Sequence, residues 1–526
     1  MHDTEVSDLV NQRPSPADLM ISKCIGLPLR QTRMGYPSVL RVVQSLPPST
    51  PTSSHSFSPL ETWDRPQSGT PASLWLRRTM TQANADATAS RILVSSAPRL
   101  SYYKEACMSQ FKIAIIGAGP AGCLLARLLH LAKIEATVFE SESSPDFRSQ
   151  GGTLDLHTET GLLALKEAGL FDEFLRYARY DGQYMAMVDK NNKHWFVIKP
   201  SGALNKLQER PEIDRPRLRE ILADSLPEGM IKWGHHLKSA DEDGRLVFEH
   251  TALSGFDLVV GADGAWSKVR KLLAPDAKPE WTKIGMYSMS VPNPTETAPE
   301  LYKLVNRGSL FGTGDGKRLT VQQMGDGTLH VYASIKSDDE KWSDPNVCGF
   351  DPTDLAAVKK FLLESAYRDW SPELTEAIVK SEGGCSPRSL YMLPVGFKWT
   401  HRRGVTVIGD AAHLMTPFAG EGVNVAFDDA MRLAKAIIEA AAKGGTPDML
   451  DKKVDTFEKD MFPRMAKVQR LTEELMIDTL FTPGAPESTI ATSIARHARY
   501  GTPWIFHPLV TASVHSFFFV RKMLGY

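Results

Sequence analysis

One stretch, residues 111–142, constrains the fold of this chain more than any other. A short run rich in β-branched residues leads directly into Gly117, Gly119 and Gly122, and a helical pattern of alanine, leucine and arginine follows. Glycines spaced G-x-G-x-x-G allow a tight strand-to-helix turn, close approach of a pyrophosphate to the backbone, and close packing of helix on strand. The free N–H groups at the start of that helix favour a bound diphosphate.

The same stretch contains the acid that such a unit requires. A second predicted strand, Ala136 to Phe139, ends at Glu140, about twenty residues beyond the glycines, where a carboxylate can accept hydrogen bonds from an adenosine ribose. Strand, glycine turn, helix, strand and acid together predict a dinucleotide-binding unit. Glu140 does not distinguish NAD from FAD, because the riboses of both cofactors can be held in this way.

A second motif reads DLVVGADGAWSKVR. Its apolar strand, Leu258 to Val260, delivers Asp263 and Gly264 to a turn, and we expect a helix from Ser267 to Leu273. Open α/β sheets bind ligands beyond the carboxyl ends of their strands. The motif therefore marks a second candidate binding position, although Asp-Gly is also a common turn pair.

A third motif, residues 404–437, decides between the two cofactors. A strand ends at Asp410, and a loop containing Pro417, Gly420 and Gly422 leads into a long amphipathic helix. Asp410 is placed to bind a hydroxylated chain, and the second helix N-terminus would stabilise a negative charge that forms on a cofactor ring. NAD needs no such second anion site, whereas a reduced flavin does. The three motifs in this order therefore predict FAD.

The first 107 residues differ in composition from the rest of the chain. They are rich in serine, proline, threonine and glutamine and lack sustained periodicity, so they cannot bury enough apolar surface to offset the entropy of ordering. We expect residues 1–107 to be a disordered or dispensable extension and the folding information to begin near Met108. The early acids and the lack of a long apolar core argue against a secretory signal or a simple mitochondrial presequence.

Charge and cysteine usage exclude other classes of protein. A net charge of −1 over 526 residues offers no basic face for a nucleic acid. The five cysteines are scattered and form no C-x-x-C pair, so we expect free thiols in a reducing compartment, without a disulfide framework or a metal site. The expected state is a monomer in the cytoplasm.

The segments between the motifs alternate between helical and strand-like patterns. We predict paired helices over 162–175, a β-hairpin over 184–198, an antiparallel meander within 282–340, and helices over 351–381 and 454–480. A half-buried antiparallel sheet of this kind would form a roof over a substrate pocket.

These patterns predict an α/β fold, with a Rossmann-like FAD-binding domain, an inserted antiparallel β-sheet substrate domain and C-terminal helices. The two domains are expected to alternate along the chain. After the extension at 1–107, the expected segments are 108–178, 210–281 and 383–450 for the FAD-binding domain, 179–209 and 282–382 for the substrate domain, and 451–526 for a C-terminal helical region.

The three motifs together resemble those of the class A flavoprotein monooxygenases, which share the para-hydroxybenzoate hydroxylase fold. The similarity is closest to the tetracycline-modifying flavin monooxygenases, in GGTLDLH (151–157), SKVRK (267–271), GDAAHLM (409–415) and PFAG-x-GVN (417–424). The resemblance covers residues from about 108 to 465 and implies both the fold and the cofactor.

The resemblance also implies how FAD would be held. Glu140 would bind the adenosine ribose, Arg219 would lie near the diphosphate and ribityl chain, and Asp410 would bind the ribityl chain and diphosphate. Asp263 and Gly264 would contact FAD and would also contact NADPH or NADH, which binds transiently as the electron donor. Pro417, Gly420 and Gly422 belong to the same cofactor-binding set.

Other positions are assigned by the same resemblance. Arg318 and His330 look like residues that line the substrate pocket, whereas His413 is expected to be structural. No side chain needs to act as a nucleophile, so no catalytic residue is assigned. Ser141 stands where such enzymes often have arginine, which removes one adenosine-side contact. Glu421 stands where the family more often has glutamine, and we expect its carboxylate to point to solvent.

The implied activity is reduction of FAD by NAD(P)H and transfer of one oxygen atom from O₂ to a bulky aromatic or polycyclic compound, in secondary metabolism. An FAD-dependent reductase or dehydrogenase of the same fold, and a flavin-binding protein without turnover, remain as alternatives. The W-x-W-x-I-P signature of flavin halogenases is absent.

The chain ends with an unusually apolar segment, residues 503–520. It contains two prolines and two histidines and falls short of the roughly 20 residues that a membrane span requires. We expect it to pack on the body of the protein or to make shallow contact with a membrane rather than to cross one. Packing is the preferred arrangement, and a location peripheral to a membrane is the alternative to a purely cytoplasmic one.

Overall fold

The computed structural model describes residues 111–145, 151–200 and 210–524. The expected extension at 1–107 and the expected start near Met108 lie outside the described residues. So do Cys24 and Cys107, whereas the cysteines of the described part, Cys123, Cys348 and Cys385, are free thiols.

The described strands form two main sheets, one small three-stranded sheet and one two-stranded pair. In chain order the strands are β1 (Lys112–Ile116), β2 (Glu135–Phe139), β3 (Thr153–Asp155), β4 (Met185–Asp189), β5 (His194–Ile198), β6 (Glu212–Asp214), β7 (Ile231–Lys232), β8 (Leu237–Ala240), β9 (Leu246–Phe248), β10 (Ala252–Leu253), β11 (Leu258–Gly261), β12 (Glu280–Val291), β13 (Ser309–Gly314), β14 (Lys317–Gln323), β15 (Leu329–Lys336), β16 (Glu382–Met392) and β17 (Val405–Val407).

Helices connect and cover these sheets. In chain order the α-helices are α1 (Pro120–Leu131), α2 (Gly161–Glu167), α3 (Phe171–Leu175), α4 (Arg215–Asp224), α5 (Arg270–Leu273), α6 (Pro294–Thr297), α7 (Pro299–Val305), α8 (Pro345–Cys348), α9 (Leu355–Phe361), α10 (Pro372–Val379), α11 (Asp410–His413), α12 (Gly422–Ala442), α13 (Pro447–Met476), α14 (Ile490–Tyr500) and α15 (His507–Met523).

The first main sheet is parallel and has the strand order β17-β11-β1-β2-β7. Its central strand β1 is buried at four of its five positions and pairs with β11 on one side and β2 on the other. Helices α1 and α12 cover it with alanine and leucine side chains that join the same apolar core. A parallel sheet covered by helices is the predicted Rossmann-like unit, and its strands are continuous apolar runs because both faces are buried.

The second main sheet has seven strands in the order β16-β12-β15-β14-β13-β4-β5. It is mixed, because β4 pairs with β13 in parallel while the other neighbouring pairs are antiparallel. Its last strand, β16, runs to Met392, within the segment that we assigned to the FAD-binding domain. One face of the sheet packs an apolar core, which includes Leu319, Val321 and Val331, against helices that contribute Val358 and Leu374. The alternate positions form the opposite, polar face.

Most predicted elements are confirmed, including the paired helices, the hairpin and the meander. The predicted helix over 267–273 is shorter than expected and begins at Arg270. Its shortening has a local cause: the carboxylate of Asp263 accepts the N–H groups of Lys268 and Val269, which holds these two residues in a loop.

The C-terminal region is helical, as predicted. Helix α13 is 30 residues long and begins at Pro447, and the hydroxyl of the preceding Thr446 caps the helix by accepting the Met449 N–H. Helices α14 and α15 then pack on the β4–β5 hairpin, where Val514 and Phe518 join Trp195 in a separate apolar cluster. In the described part of the chain, every helix is too short or too polar to cross a bilayer.

Candidate functional site

The three sequence motifs meet at one edge of the parallel sheet. Strands β1, β11 and β17 are neighbours, and each delivers one motif from its carboxyl end. The Ala262 N–H donates to the Ile116 carbonyl, and the Ile408 N–H donates to the Gly261 carbonyl. A Cβ added at Gly409 would lie 3.5 Å from the Ala121 side chain, so the third motif also reaches the start of α1.

Two of the three glycines in the first motif have no room for a side chain, whereas the third has space beside it. A Cβ at Gly117, where φ is +105°, would lie 2.4 Å from the Ala262 carbonyl oxygen, and one at Gly122 would lie 2.1 Å from the Gly117 carbonyl oxygen. At Gly119 the nearest such atom is 4.0 Å away. The outer glycines therefore permit packing within the protein, whereas the middle one leaves the open cradle that a diphosphate requires.

Glu140 and Arg219 lie beside this turn. One carboxylate oxygen of Glu140 accepts the Ala118 N–H at 2.6 Å, and the other accepts the Ser141 hydroxyl and the Glu142 N–H. The Arg219 guanidinium donates to Glu142 at 2.8 Å and lies 4.0 Å from Glu140. Ser141 thus supports Glu140, and the ribose contact expected of Glu140 stays a prediction.

Asp263 and Gly264 shape the second turn. One carboxylate oxygen of Asp263 accepts the Lys268 N–H at 2.7 Å, while the other is buried and has no hydrogen-bond partner among the described residues. Burial raises the pKa of Asp263, although hydrogen bonds from Ser267 and the following N–H groups act against it. Gly264 has a φ of +74°, and a Cβ there would meet no atom within 4 Å. The unpaired oxygen fits an acceptor for a cofactor hydroxyl.

A buried arginine that the sequence did not single out joins the second and third motifs. Arg270 is 2% exposed, and its guanidinium donates to the carbonyl oxygens of Ala265 and Ala411 at 2.7 and 3.0 Å. Ala265 lies five residues before Arg270, in the turn after β11, whereas Ala411 belongs to α11 and is 141 residues away in sequence. The SKVRK motif contained this residue, but its two partners become visible only in the fold.

The third motif exposes a few atoms in otherwise buried surroundings. Asp410, Pro417 and Gly420 are solvent-accessible, whereas most of their neighbours in the motif are buried. Desolvation by the surrounding chain raises the pKa of Asp410, against the opposing charges of His413 and Arg215. Asp410 is thus accessible to solvent and at the same time surrounded by protein. We call the surface formed by Gly119, Asp410, Pro417 and Gly420 the cofactor cleft.

Asp429, on α12, fixes the turn that carries Asp410. Its side chain is fully buried, and one oxygen accepts the Gly409 N–H at 3.2 Å and pairs with the His413 imidazole at 2.5 Å. His413 is 3% exposed and faces the protein interior. This geometry agrees with a structural role for His413, whereas no pattern in the sequence pointed to its partner Asp429.

A second buried cluster adjoins the cleft. His157 lies 2.9 Å from Asp155 and 3.4 Å from Glu421, and the Asn424 side chain accepts the His157 backbone N–H at 2.9 Å. The Glu421 side chain is 7% exposed. The expectation that Glu421 points to solvent is therefore wrong, because His157, on the loop after β3, supplies a buried partner.

The charges in this cluster support one another. Burial and the charge of Arg210 act to lower the pKa of His157, but the carboxylates of Asp155 and Glu421 outweigh them and raise it to about 9. Burial alone would raise the pKa of Glu421, but the hydrogen bond and charge of His157 outweigh it and lower that pKa. His157 is therefore protonated, and Glu421 ionised, at neutral pH.

This pair predicts a specific pH dependence of stability. The raised pKa of His157 stabilises the folded chain fully below about pH 6.5, and this contribution is lost as the pH rises through about 9. Glu421→Gln removes one of the two carboxylates, so we expect the pKa of His157 to fall by about one unit. The loss of unfolding free energy between pH 6.5 and 9 should then shrink by about 1 kcal/mol, as measured by urea denaturation.

The matched control for this experiment is Glu439→Gln. Glu439 pairs with Lys453 away from the cluster, and its lowered pKa affects stability only at acid pH. Its profile from pH 6.5 to 9 should follow the wild type. Identical profiles for Glu421→Gln and the wild type would contradict the pairing of Glu421 with His157.

The polar face of the seven-stranded sheet contains both predicted pocket residues. The Arg318 guanidinium lies over the rings of Phe311 and Phe418, at 4.5 and 5.0 Å from their centroids, and burial lowers the pKa of Arg318 to about 10. Phe418 belongs to the loop of the third motif, so the structure brings Arg318 against that loop. His330 is half-buried on the same face, about 13 Å farther along the strands.

The described residues offer no alternative metal centre. Among them, no group of three or more histidine, cysteine, aspartate or glutamate side chains is arranged to hold a metal ion. The accessible cleft, the open glycine cradle and the unpaired Asp263 oxygen fit a dinucleotide with hydroxyl and diphosphate groups.

Comparisons with known proteins agree with this geometry. A family model described as an FAD binding domain matches residues 110–345 and 397–470. Monooxygenase penA of Penicillium thymicola is 32% identical over 414 residues, which cover 69% of this chain and 94% of that protein. The 3-amino-4-hydroxybenzoate 2-monooxygenase of Streptomyces cremeus is 27% identical over 391 residues, which cover 72% of this chain and 90% of that protein.

A solved structure shows the same fold. The crystal structure of tetracycline destructase Tet(51) aligns with a TM-score of 0.55 and 17% sequence identity, over 74% of this chain and 96% of that chain. The predicted fold and the predicted resemblance to class A flavin monooxygenases are confirmed, and FAD is the cofactor. The chain belongs to the FAD-binding-domain family and is an FAD-dependent monooxygenase.

Proposed function

We propose that this monooxygenase uses NADPH or NADH and O₂ to oxygenate a bulky aromatic or polycyclic small molecule in secondary metabolism. The observation that carries the proposal is the position of the accessible third-motif loop, around Pro417, beneath the polar face that contains Arg318. When bound, FAD supplies the redox chemistry that reduces O₂ and transfers one oxygen atom.

The residues of the cofactor cleft would bind and orient FAD. The open cradle at Gly119 and the N-terminus of α1 would hold the diphosphate, with Glu140 and Arg219 beside it. The carboxylate of Asp410 would accept hydrogen bonds from the ribityl chain. The unpaired oxygen of Asp263 and the open turn at Gly264 would contact FAD and the nicotinamide donor, which binds transiently.

The third motif would also control charge at the reactive end of the cofactor. Helix α12 begins at Gly422, where a Cβ would meet no atom within 4 Å, so the start of the helix has room for a ligand beside it. The N–H groups of its first turn would stabilise an anionic cofactor ring. Pro417 and Gly420 would fix the loop, and Phe418 would help to exclude water.

The polar face of the sheet suggests the class of substrate. Arg318 is already stacked on two aromatic rings, and Gln322 and His330 add hydrogen-bonding groups on the same face. A surface of this kind suits a planar ring system that carries oxygen or nitrogen substituents. The names of two relatives, a 3-amino-4-hydroxybenzoate monooxygenase and a tetracycline destructase, support the same class.

Asp410→Asn tests the assignment of the cleft. Loss of a charge-assisted hydrogen bond costs about 1.5–3 kcal/mol, so we expect the Kd for FAD to rise roughly 10- to 100-fold. The unfolding free energy of the apoprotein should not fall, because no described residue depends on this carboxylate for a hydrogen bond. Titration of the apoprotein with FAD, followed by flavin fluorescence, measures the Kd. An unchanged Kd would remove Asp410 from the cofactor site.

A substrate panel tests the activity itself. Purified, FAD-loaded protein should oxidise NADPH slowly alone and faster with one member of a panel of aromatic polyketides and hydroxylated benzoates. The stimulating compound should yield a product that is heavier by one oxygen atom. NADPH oxidation without any oxygenated product would favour a reductase, and no NADPH oxidation at all would favour a flavin-binding protein without turnover.

A further inference from the structure

The loop that follows β3 is tied to the first turn of α12, at the edge of the cofactor cleft. Asn424, on α12, is fully buried, and its side-chain oxygen accepts the His157 N–H and the Thr160 hydroxyl. The amide group of the same side chain donates to the Asp155 carbonyl at 2.9 Å. These three hydrogen bonds hold residues 155–160 in a fixed position relative to the start of α12.

Three side chains at this junction form a chain of direct contacts. One carboxylate oxygen of Glu421 lies 3.4 Å from Nδ1 of His157, and Nε2 of His157 lies 2.9 Å from one carboxylate oxygen of Asp155. The other Asp155 oxygen would lie 3.7 Å from a Cβ at Gly420, a residue of the cofactor cleft. The imidazole therefore stands between a carboxylate beside the cleft and a carboxylate at the start of α12.

Glu421 occupies the position directly before the first residue of α12. The N-terminus of a helix carries a partial positive charge, and a carboxylate at this position reduces what that charge offers to another anion. The Glu421 side chain is largely buried, so solvent screens its charge only weakly. Unless another charge offsets it, Glu421 would oppose the stabilisation of an anionic cofactor ring that we propose for α12.

Cations from other elements offset the two carboxylates. His157 contacts both of them and is protonated at neutral pH. Arg210 adds a second positive charge, which acts on all three members of the chain of contacts. His497, on α14, faces the same cluster, and burial together with the charge of Arg210 lowers the pKa of His497 to about 4, so this imidazole is neutral. Two carboxylates and two cations therefore balance one another beside the start of α12.

We propose that the charged pair formed by His157 and Glu421 sets the reduction potential of the bound flavin. The inference rests on the proposed position of the cofactor ring at the start of α12. Loss of the His157 charge would leave an unbalanced negative charge near the ring and favour oxidised flavin. Loss of the Glu421 charge would leave an unbalanced positive charge and favour the reduced, anionic form. Both are positioning residues, because they act through the charge at the start of α12.

The midpoint potential of the FAD-loaded protein, measured at neutral pH without oxygen or substrate, tests this proposal. Slow reduction in equilibrium with a reference dye gives the potential. We expect His157→Gln to weaken binding of reduced relative to oxidised FAD about tenfold, which lowers the potential by about 30 mV for a two-electron couple. Glu421→Gln should change the same ratio in the opposite direction and raise the potential. The double variant should lie between the two single variants, near the wild type.

His401→Gln is the matched control, because His401 also lies between two carboxylates, at 2.8 Å from Glu458 and 3.2 Å from Asp451. It precedes β17, whereas the cofactor cleft lies beyond the carboxyl end of that strand. The potential of this variant should match the wild type. Shifts of His157→Gln and Glu421→Gln in the same direction, or shifts no larger than that of His401→Gln, would overturn the proposal, because a purely structural contact does not depend on the sign of the charge removed.

The conservative variant keeps the test decisive. Glu421→Gln retains the size of the side chain, so if His157→Gln yields no FAD-loaded protein, Glu421→Gln decides alone. A potential equal to or below that of the wild type in this variant would overturn the proposal. Because the measurement uses no substrate, its result does not depend on which compound is oxygenated. NADPH oxidation without an oxygenated product would contradict the proposed function and leave the measured potentials unchanged.

Discussion

Gly122→Ala is expected to prevent the chain from folding to a stable, FAD-loaded state. A Cβ at this position would lie 2.1 Å from the Gly117 carbonyl oxygen, a distance at which backbone must move. The clash lies where α1 packs on β1, in the centre of the main apolar core. We expect a loss of unfolding free energy of about 4 kcal/mol or more, measured by urea denaturation, and recovery of little yellow protein.

Gly119→Ala is the informative counterpart to this change. Gly119 has φ near −71°, which alanine adopts readily, and its Cβ would have no neighbour closer than 4.0 Å. The unfolding free energy of the apoprotein should therefore be unchanged or slightly higher. If the cradle holds the diphosphate, the added methyl group should raise the Kd for FAD at least tenfold. Normal FAD affinity in Gly119→Ala would place the cofactor elsewhere.

Asp429→Ala is the second change with a large expected effect. It would leave the Gly409 N–H and the His413 imidazole without their buried acceptor, and breaking such a buried pair costs about 3–5 kcal/mol. Since the same residue fixes the turn that carries Asp410, FAD affinity should also fall. Urea denaturation of the apoprotein measures the first effect, and FAD titration measures the second.

The control for Asp429→Ala is Asp338→Ala. The Asp338 side chain is 84% exposed, and its nearest cation, on Lys283, is 3.7 Å away. Exposed pairs of this kind contribute little to stability, so the denaturation midpoint should not move. A midpoint for Asp429→Ala that matches this control would show that the buried hydrogen bonds of Asp429 do not hold the third motif in place.

The parts of the fold that could be predicted are those encoded by short segments. The strand before Gly117, the helix after it and the acid at Glu140 are local patterns, and each occurs where it was expected. The hairpin and the meander followed from alternation of apolar and polar residues. The order of the three motifs along the chain then sufficed to indicate FAD, because each motif follows a strand of the same sheet.

The parts that could not be predicted depend on partners distant in sequence. Glu421 appeared to be a solvent-facing loop residue because its partner, His157, precedes it by more than 260 positions. Arg270 occurred in the sequence analysis only within the SKVRK motif, and the fold brings the Ala411 carbonyl, 141 residues away in sequence, to its guanidinium. The parallel pairing of β4 with β13 likewise joins two segments that no periodicity connects.

The apolar C-terminal segment was only partly predictable. Its pattern showed that residues 503–520 could not readily span a membrane, and the structure adds which side chains pack inward, such as Val514. Periodicity could not tell the buried stripe from the outward one, because both are apolar. The hairpin that covers the inner stripe is more than 300 residues earlier in the chain.

Isotopically labelled O₂, supplied with NADPH and a stimulating aromatic substrate to the FAD-loaded protein, gives the most direct test of the proposed function. Mass spectrometry of the product should show one labelled oxygen atom, formed in step with NADPH oxidation. A product that contains no labelled oxygen, or one whose added oxygen comes from water, would contradict monooxygenation of that substrate and favour the reductase or dehydrogenase alternative.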